Sequence, residues 1–132
     1  MVTELQRLVD HLGALLKRSV AIDDAQVRLL AYSSHAADVD PVRVESVMQR
    51  RVSDDVAALI REHLEDREDE FFTVPAAESL GIKFERFGMP IRYNGSLLGY
   101  LWLVGSDGPI AEEEVAAARE SARQAGLILH QE

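Results

Sequence analysis

The sequence predicts an α+β domain built on an antiparallel sheet of five to six strands. The N- and C-terminal helices lie on one face of the sheet and connecting helices on the other. Three observations lead there. Asn94-Gly95 sits between two apolar, aromatic and β-branched runs spanning residues 90–104, and a type I′ hairpin turn needs the positive φ that these two residues tolerate. The returning run is apolar on both sides, with Leu98, Tyr100, Trp102 and Val104 pointing one way and Leu97, Gly99, Leu101 and Leu103 the other. A strand of that kind belongs inside a sheet covered on both faces. Finally, helical periodicity opens and closes the chain, and helices packed on an antiparallel sheet are one of the few layer solutions open to it.

Taken in order, Thr3 and Gln6 have capping-box spacing. Leu5, Leu8, Val9, Leu12, Leu15 and Leu16 then recur at intervals of three and four, predicting an amphipathic helix over 3–17 that Gly13 weakens slightly. Val20 and Ile22, then Leu29, Leu30 and Tyr32, mark a strand pair over 19–33 around the turn Asp23-Asp24-Ala25-Gln26. Connecting helices over 40–65 begin with Asp40 as N-cap and Pro41 at the first helical position, and Ser53 with Asp54 and Asp55 caps the second of them. A charged break at 65–70 precedes a strand over 71–75. The main hairpin occupies 83–104, where Gly88 and Pro90 point to a bulge or bend in its first arm. The last helix, over 112–131, opens on Glu112, Glu113 and Glu114 and is lined by Val115, Ala118, Ala122, Ala125 and Leu129.

The composition narrows the function. At 132 residues the chain fits one domain, 1–132, able to bury roughly two thirds of its unfolded surface. With 14 Lys and Arg against 23 Asp and Glu, the net charge of −9 opposes nonspecific attraction to nucleic-acid phosphates. Cysteine is absent, which removes disulfides, thiolate nucleophiles, Cys-ligated zinc and thioether-linked chromophores. The longest apolar stretch is the hairpin strand, too short for a bilayer, and the N-terminus lacks a signal-peptide pattern. The expectation is a soluble cytoplasmic domain.

Several segments together carry a family likeness. They are Lys17-Arg18-Ser19-Val20-Ala21-Ile22-Asp23-Asp24 with Arg28-Leu29-Leu30-Ala31-Tyr32-Ser33, then Asp40-Pro41-Val42-Arg43-Val44-Glu45-Ser46-Val47 with Arg50 and Arg51, and the hairpin from Pro90 to Leu103. In combination they resemble the N-terminal GAF-like sensor domain of the PucR/CdaR-type helix-turn-helix transcriptional regulators of actinobacteria. The resemblance spans nearly the whole chain. It implies a PAS/GAF/profilin-like fold, effector sensing, and DNA binding only through a C-terminal helix-turn-helix domain outside this sequence. The chain would then be an excised sensor or a free-standing relative. The last helix has no Gly or Pro stop after His130-Gln131-Glu132, so its pattern is open to continuation into such an output domain.

The seams of the terminal helices, Leu5, Leu8, Leu12 and Leu15 on the first and Val115, Ala118, Ala122, Ala125 and Leu129 on the last, allow two readings. They cover the chain's own sheet, or they pack against a second copy to make the homodimer that the resemblance implies.

Catalysis is not expected. His11, His35, His63 and His130 have no metal-ligand spacing, and neither a Gly-x-Ser-x-Gly elbow nor a phosphate-cradling glycine loop occurs. The carboxylates between Glu62 and Glu70 lack the ligand alternation and central glycine of a calcium loop. No metal or cofactor is expected. Among GAF chemistries, sulfoxide reduction and bilin attachment need cysteine. The Asn-Lys-Phe-Asp-Glu set of cyclic-nucleotide GAF domains is echoed only superficially by Lys83-Phe84-Glu85.

A pocket on the second sheet face, covered by residues 35–70, is the predicted ligand site. Arg51, Arg86 and Arg92 are the candidates to meet an anionic effector, since guanidinium pairs bidentately with carboxylate or phosphate. His35 stands at the strand end. Tyr32, Tyr100 and Trp102 either line the pocket or fill it. Two other classes compete: a ligand-free dimerisation module, and a DNA-binding helix-turn-helix at 42–64 using Arg43, Arg50, Arg51 and Arg61. Asp54, Asp55, Glu62, Glu65 and Asp66 put acid where the latter needs base.

Overall fold

The computed structural model describes residues 2–26, 28–33, 72–74, 86–104 and 110–131. Along them run α1 (Val2–Leu16), β1 (Val20–Asp24), β2 (Leu29–Ser33), β3 (Phe72–Val74), β4 (Arg86–Tyr93), β5 (Ser96–Val104) and α2 (Glu112–His130). The predicted connecting helices over 40–65, the competing helix-turn-helix at 42–64, His35 and Arg51 lie outside the described residues.

The described strands form one antiparallel sheet in the order β2-β1-β5-β4-β3. Asn94 and Gly95 turn the β4–β5 hairpin with φ of 50° and 81°, the positive values a type I′ turn requires. The irregularity expected in the first arm at Gly88 and Pro90 lies instead in the second, where Leu98 is the extra residue between the pairs Ile91 with Gly99 and Arg92 with Leu97. Pro90 itself pairs with Tyr100 and lies past the last described pairing with β3, where its missing N–H breaks no ladder there.

Both helices pack on the same face and against each other. Leu5, Leu8, Val9 and Leu12 from α1 and Ala118, Ala122 and Ala125 from α2 share one buried cluster with Val20, Ile22, Ala31, Phe87, Met89, Ile91, Leu101 and Leu103. Alternation along β5 holds from Gly99 to Val104, while Leu98 packs at the edge of this cluster. That departs from the shared face expected for Leu98 and Tyr100. Leu98 is the extra residue of the bulge, unpaired opposite the step from Ile91 to Arg92, and a bulged residue leaves the strict alternation.

The dimer seams are thereby corrected. Leu5, Leu8, Leu12, Ala118, Ala122 and Ala125 are buried in the chain's own core, and Val115 and Leu129 are half-buried against it. Of the nine seam residues only Leu15 is exposed, at 60%. The stripe follows the sheet because an amphipathic helix first buries its apolar face against its own domain. Small residues on α2 serve the same approach. A Cβ on Gly126 would stand 2.6 Å from the Arg92 carbonyl oxygen, so glycine lets the helix lie against the backbone of β4.

Helix α1 begins at Val2, which puts Thr3 inside it and not at the cap position, and the described bonds of Gln6 run elsewhere. Its amide donates to Asp10 at 3.0 Å and to the Tyr32 carbonyl at 2.8 Å, and accepts from the Tyr32 N–H at 3.4 Å. Gln6 thus occupies backbone groups of β2, which ends the sheet order, in the way another strand would. The helix closes on Lys17 in the left-handed region (φ 56°), whose N–H reaches the Gly13 carbonyl at 2.8 Å. Buried Arg18 then ties three elements together. Its Nε donates to Glu114 of α2 at 2.9 Å and its Nη1 to the Val104 carbonyl at 3.1 Å.

Candidate effector-binding face

The opposite face of the sheet carries a different chemistry. Register places Tyr32, Ala21, Trp102 and Gly88 in one row across β2, β1, β5 and β4. Leu29, Asp23, Tyr100 and Pro90 form the adjacent row. Arg86 stands opposite Val104 in the row on the other side. Ala21, Leu29, Tyr100, Trp102 and Val104 are buried yet belong to no part of the helix-side cluster.

Two buried charged residues distinguish this face. Asp23 is 2% and Arg86 3% exposed. Burying an ionic group is costly unless it is paired and hydrogen-bonded. Each of these side chains, like Tyr100 and Trp102, has an interaction partner. The Tyr100 and Trp102 rings lie 6.0 Å apart at 41°, a tilted aromatic pair. Trp102 is flanked across the strands by Ala21 and Gly88, small residues that leave room above the backbone on both sides of the indole.

Four of the seven predicted ligand residues, Tyr32, Arg86, Tyr100 and Trp102, therefore share one face. Arg92 has the same parity along β4 as Arg86, between Ile91 in the helix-side cluster and Tyr93, which stacks on His130. It stands, however, at the far end of the strand and borders a groove of about 260 Å³ beside α2 together with Arg119 and Arg123. The three expected arginines are not brought together as one anion site: Arg86 and Arg92 stand at opposite ends of β4, about 20 Å apart along the strand, and Arg51 is outside the described residues. Asp23 is the residue that sequence reasoning missed, taken there for a turn position. The signal was in the alternation Val20-Ala21-Ile22-Asp23, which puts Asp23 beside Ala21 on the Trp102 face. The turn falls one residue later. Asp24 accepts from the N–H groups of Gln26 and Arg28, each at 2.9 Å, and from Arg28 Nε at 3.1 Å.

Among the described residues no group of three or more His, Cys, Asp or Glu could hold a metal ion, and no helix is long and apolar enough to cross a membrane.

This arrangement, terminal helices on one side of an antiparallel sheet and a polar-aromatic surface on the other, is a GAF-like α+β fold, as solved structures of the same shape bear out. The cofactor-binding GAF domain of the nutrient sensor CodY from Clostridium difficile is similar with a TM-score of 0.67 at 19% identity, over 94% of this chain and 83% of that one. The GAF domain of an Acinetobacter phosphoenolpyruvate-protein phosphotransferase is similar with a TM-score of 0.64 at 15% identity, over 98% and 82%. No family profile matches the sequence. Two transcriptional activators of Bacillus subtilis are distant relatives. The DNA-binding transcriptional activator AdeR is 25% identical over 126 residues, and the proline-responsive activator PutR 23% over 136. These alignments cover 90% and 97% of this chain but only 29% and 32% of the relatives, so the chain spans about a third of the length of the curated proteins it matches.

Proposed function

We propose that this chain is the effector-sensing, non-catalytic domain of a cytoplasmic transcriptional regulator of the PucR/CdaR type. A small molecule held over Trp102 shifts the relation of α1 and α2, and with it an attached DNA-binding domain. The observation that carries this reading is the Trp102 face. A core that served packing alone would be apolar, whereas this face buries Asp23 and Arg86 beside two aromatic rings over small residues. The GAF-like shape and the distant likeness to two transcriptional activators support it.

Homodimerisation belongs to the same proposal, with its surface moved. The helices offer a second copy their outer sides, where Leu15 and Leu127 are exposed, and not the buried seams.

A thermal-shift screen with small carboxylates, purines and sugar acids tests the reading, since a ligand of the folded state alone must raise the melting temperature. Trp102 is the only tryptophan of the chain, so its emission reports directly on the proposed site. A hit is expected to raise Tm and change that emission, and Tyr100→Phe should weaken it. Failure of every compound to do either favours the ligand-free dimerisation module.

A further inference from the structure

The groove beside α2 has a composition that the acidic chain as a whole does not predict. Met89 and Pro90 of β4 and Ala122 of α2 line it, and the charged groups at its rim are Arg92, Arg119 and Arg123. Among the described residues no carboxylate lines it, in a chain whose net charge is −9. Two features hold the three cations close. Arg92 borders the groove at the far end of β4, and Arg119 and Arg123 stand one helical turn apart on the same side of α2. Like charges at that spacing are mildly unfavourable within a helix. Gly126 seats the helix directly against the Arg92 backbone, so the separation of the strand and helix backbones that carry the arginines is set by close packing.

Arg123 donates from Nε to both carboxylate oxygens of Glu120, at 2.9 Å each, and its Nη2 lies 2.9 Å from Oε2. Both side chains are more than half exposed, and an exposed ion pair of this kind is worth little and is readily exchanged for a better acceptor. Glu120 thus occupies Arg123 on the groove's border and competes with any anion inside it.

We propose that this groove is a second binding site, distinct from the Trp102 face, for a small organic dianion. Its two anionic groups, carboxylate or phosphate, bridge the strand arginine and the helix arginines. Guanidinium presents parallel N–H donors that match either oxyanion. The apolar floor of Met89 and Ala122 suits a short carbon skeleton between the charges, and the groove's volume of about 260 Å³ suits a metabolite-sized molecule. An anion there clips α2 to β4, the strand on which this terminal helix rests.

The test is a titration of the intact chain with succinate and with inorganic phosphate, each against sodium chloride at equal ionic strength, followed by NMR of the arginine Nε–H and backbone amide signals. Saturable shifts of Arg92, Arg119 and Arg123, complete below about 10 mM, are expected. Saturation by succinate, alone or at lower concentration than phosphate, supports the proposal, and saturation by phosphate alone would mark a single-oxyanion site and overturn it. Arg119→Gln combined with Arg123→Gln changes only exposed side chains and should weaken binding about tenfold or more. Glu120→Gln removes the carboxylate that holds Arg123 and should tighten binding a few-fold. Shifts no larger than those with chloride, shifts that survive the double variant, or no gain in the Glu120 variant would overturn it. Trp102 emission should stay unchanged throughout, which separates this site from the proposed effector face.

Discussion

At the residue scale, Glu114 has two duties that depend on its charge. One oxygen accepts the Ala111 N–H at 3.0 Å, closing the first turn of α2, and the other accepts from buried Arg18. The hydrogen bond from Arg18 holds the carboxyl below its ordinary value of 4.5, partial burial opposes this, and the Ala111 N–H and the Arg18 charge add to the lowering. A carboxyl whose pKa is lower folded than unfolded contributes its full stability above the unfolded value and loses it as pH falls through the folded one. Glu114→Gln should therefore cost about 2 kcal/mol at pH 7, because it leaves Arg18 buried without its counter-charge. The difference from the natural chain should shrink on acidification below about pH 4.5. Urea denaturation at pH 7 and at pH 3 measures both. Two glycines make a sharper test of close approach. A Cβ on Gly99 would fall 2.1 Å from the Asp23 carbonyl oxygen, against 2.6 Å for Gly126 and Arg92, and in both cases the obstacle is backbone. Helix propensity favours alanine over Gly126 by about 1 kcal/mol, yet overpacking costs about 1–3, so both substitutions should lower Tm. Gly99→Ala should do so by the larger amount.

Elements differed in how far the sequence revealed them. Asn94-Gly95 and the two-sided apolar run of β5 were decisive because turn and strand obey local rules, and β5 spans Ser96–Val104 as predicted. The helical stripes were equally clear, but a stripe records only that a face is buried. Leu5, Leu8 and Leu12 could not say whether the sheet or a second copy covers them, since both partners are apolar. Gln6 was misread for a related reason. Its spacing from Thr3 fits a cap, whereas, besides Asp10 one turn on, it bonds Tyr32, 26 residues away, and no local pattern encodes that contact. The structure assigns Gln6 to the protection of β2, which leads to a local prediction. Gln6→Ala should cost about 1 kcal/mol globally and accelerate amide exchange at Tyr32 well beyond that at Ala31 or Ile22. Uniform acceleration along the strand would mean that Gln6 acts only through overall stability.

On the scale of the whole molecule, the sheet divides the chain into a helix side that fixes the fold and a Trp102 side that carries its buried charge. Alternation along β5 and β1 made that division readable, since a period of two sorts residues by face. The site within it was only partly readable. Tyr32, Arg86, Tyr100 and Trp102 fell together as alternation requires, but one extra residue in β5 turned Leu98 toward the helix side, and a bulge has no firm sequence signature. The same division bears on assembly. With the seams turned inward, any dimer of this chain must use what the helices leave outside. The exposed large apolar residues among those described are Leu15, at 60%, and Leu127, at 39%. Single exposed leucines are ordinary on a monomer, so only association can show that these two matter. Sedimentation from about 5 to 500 μM should give a concentration-dependent shift toward the dimer mass, spanning a Kd up to the high micromolar range. Leu127→Glu should weaken that association about tenfold or more while leaving Tm of the dilute chain nearly unchanged, because the side chain projects away from the core. Substituting a buried seam residue such as Ala122 should instead lower Tm at every concentration. A monomer at 500 μM, or a Leu127 variant that associates as the natural chain does, would remove these helices as a dimer surface and leave any signal from the Trp102 face to travel within one chain.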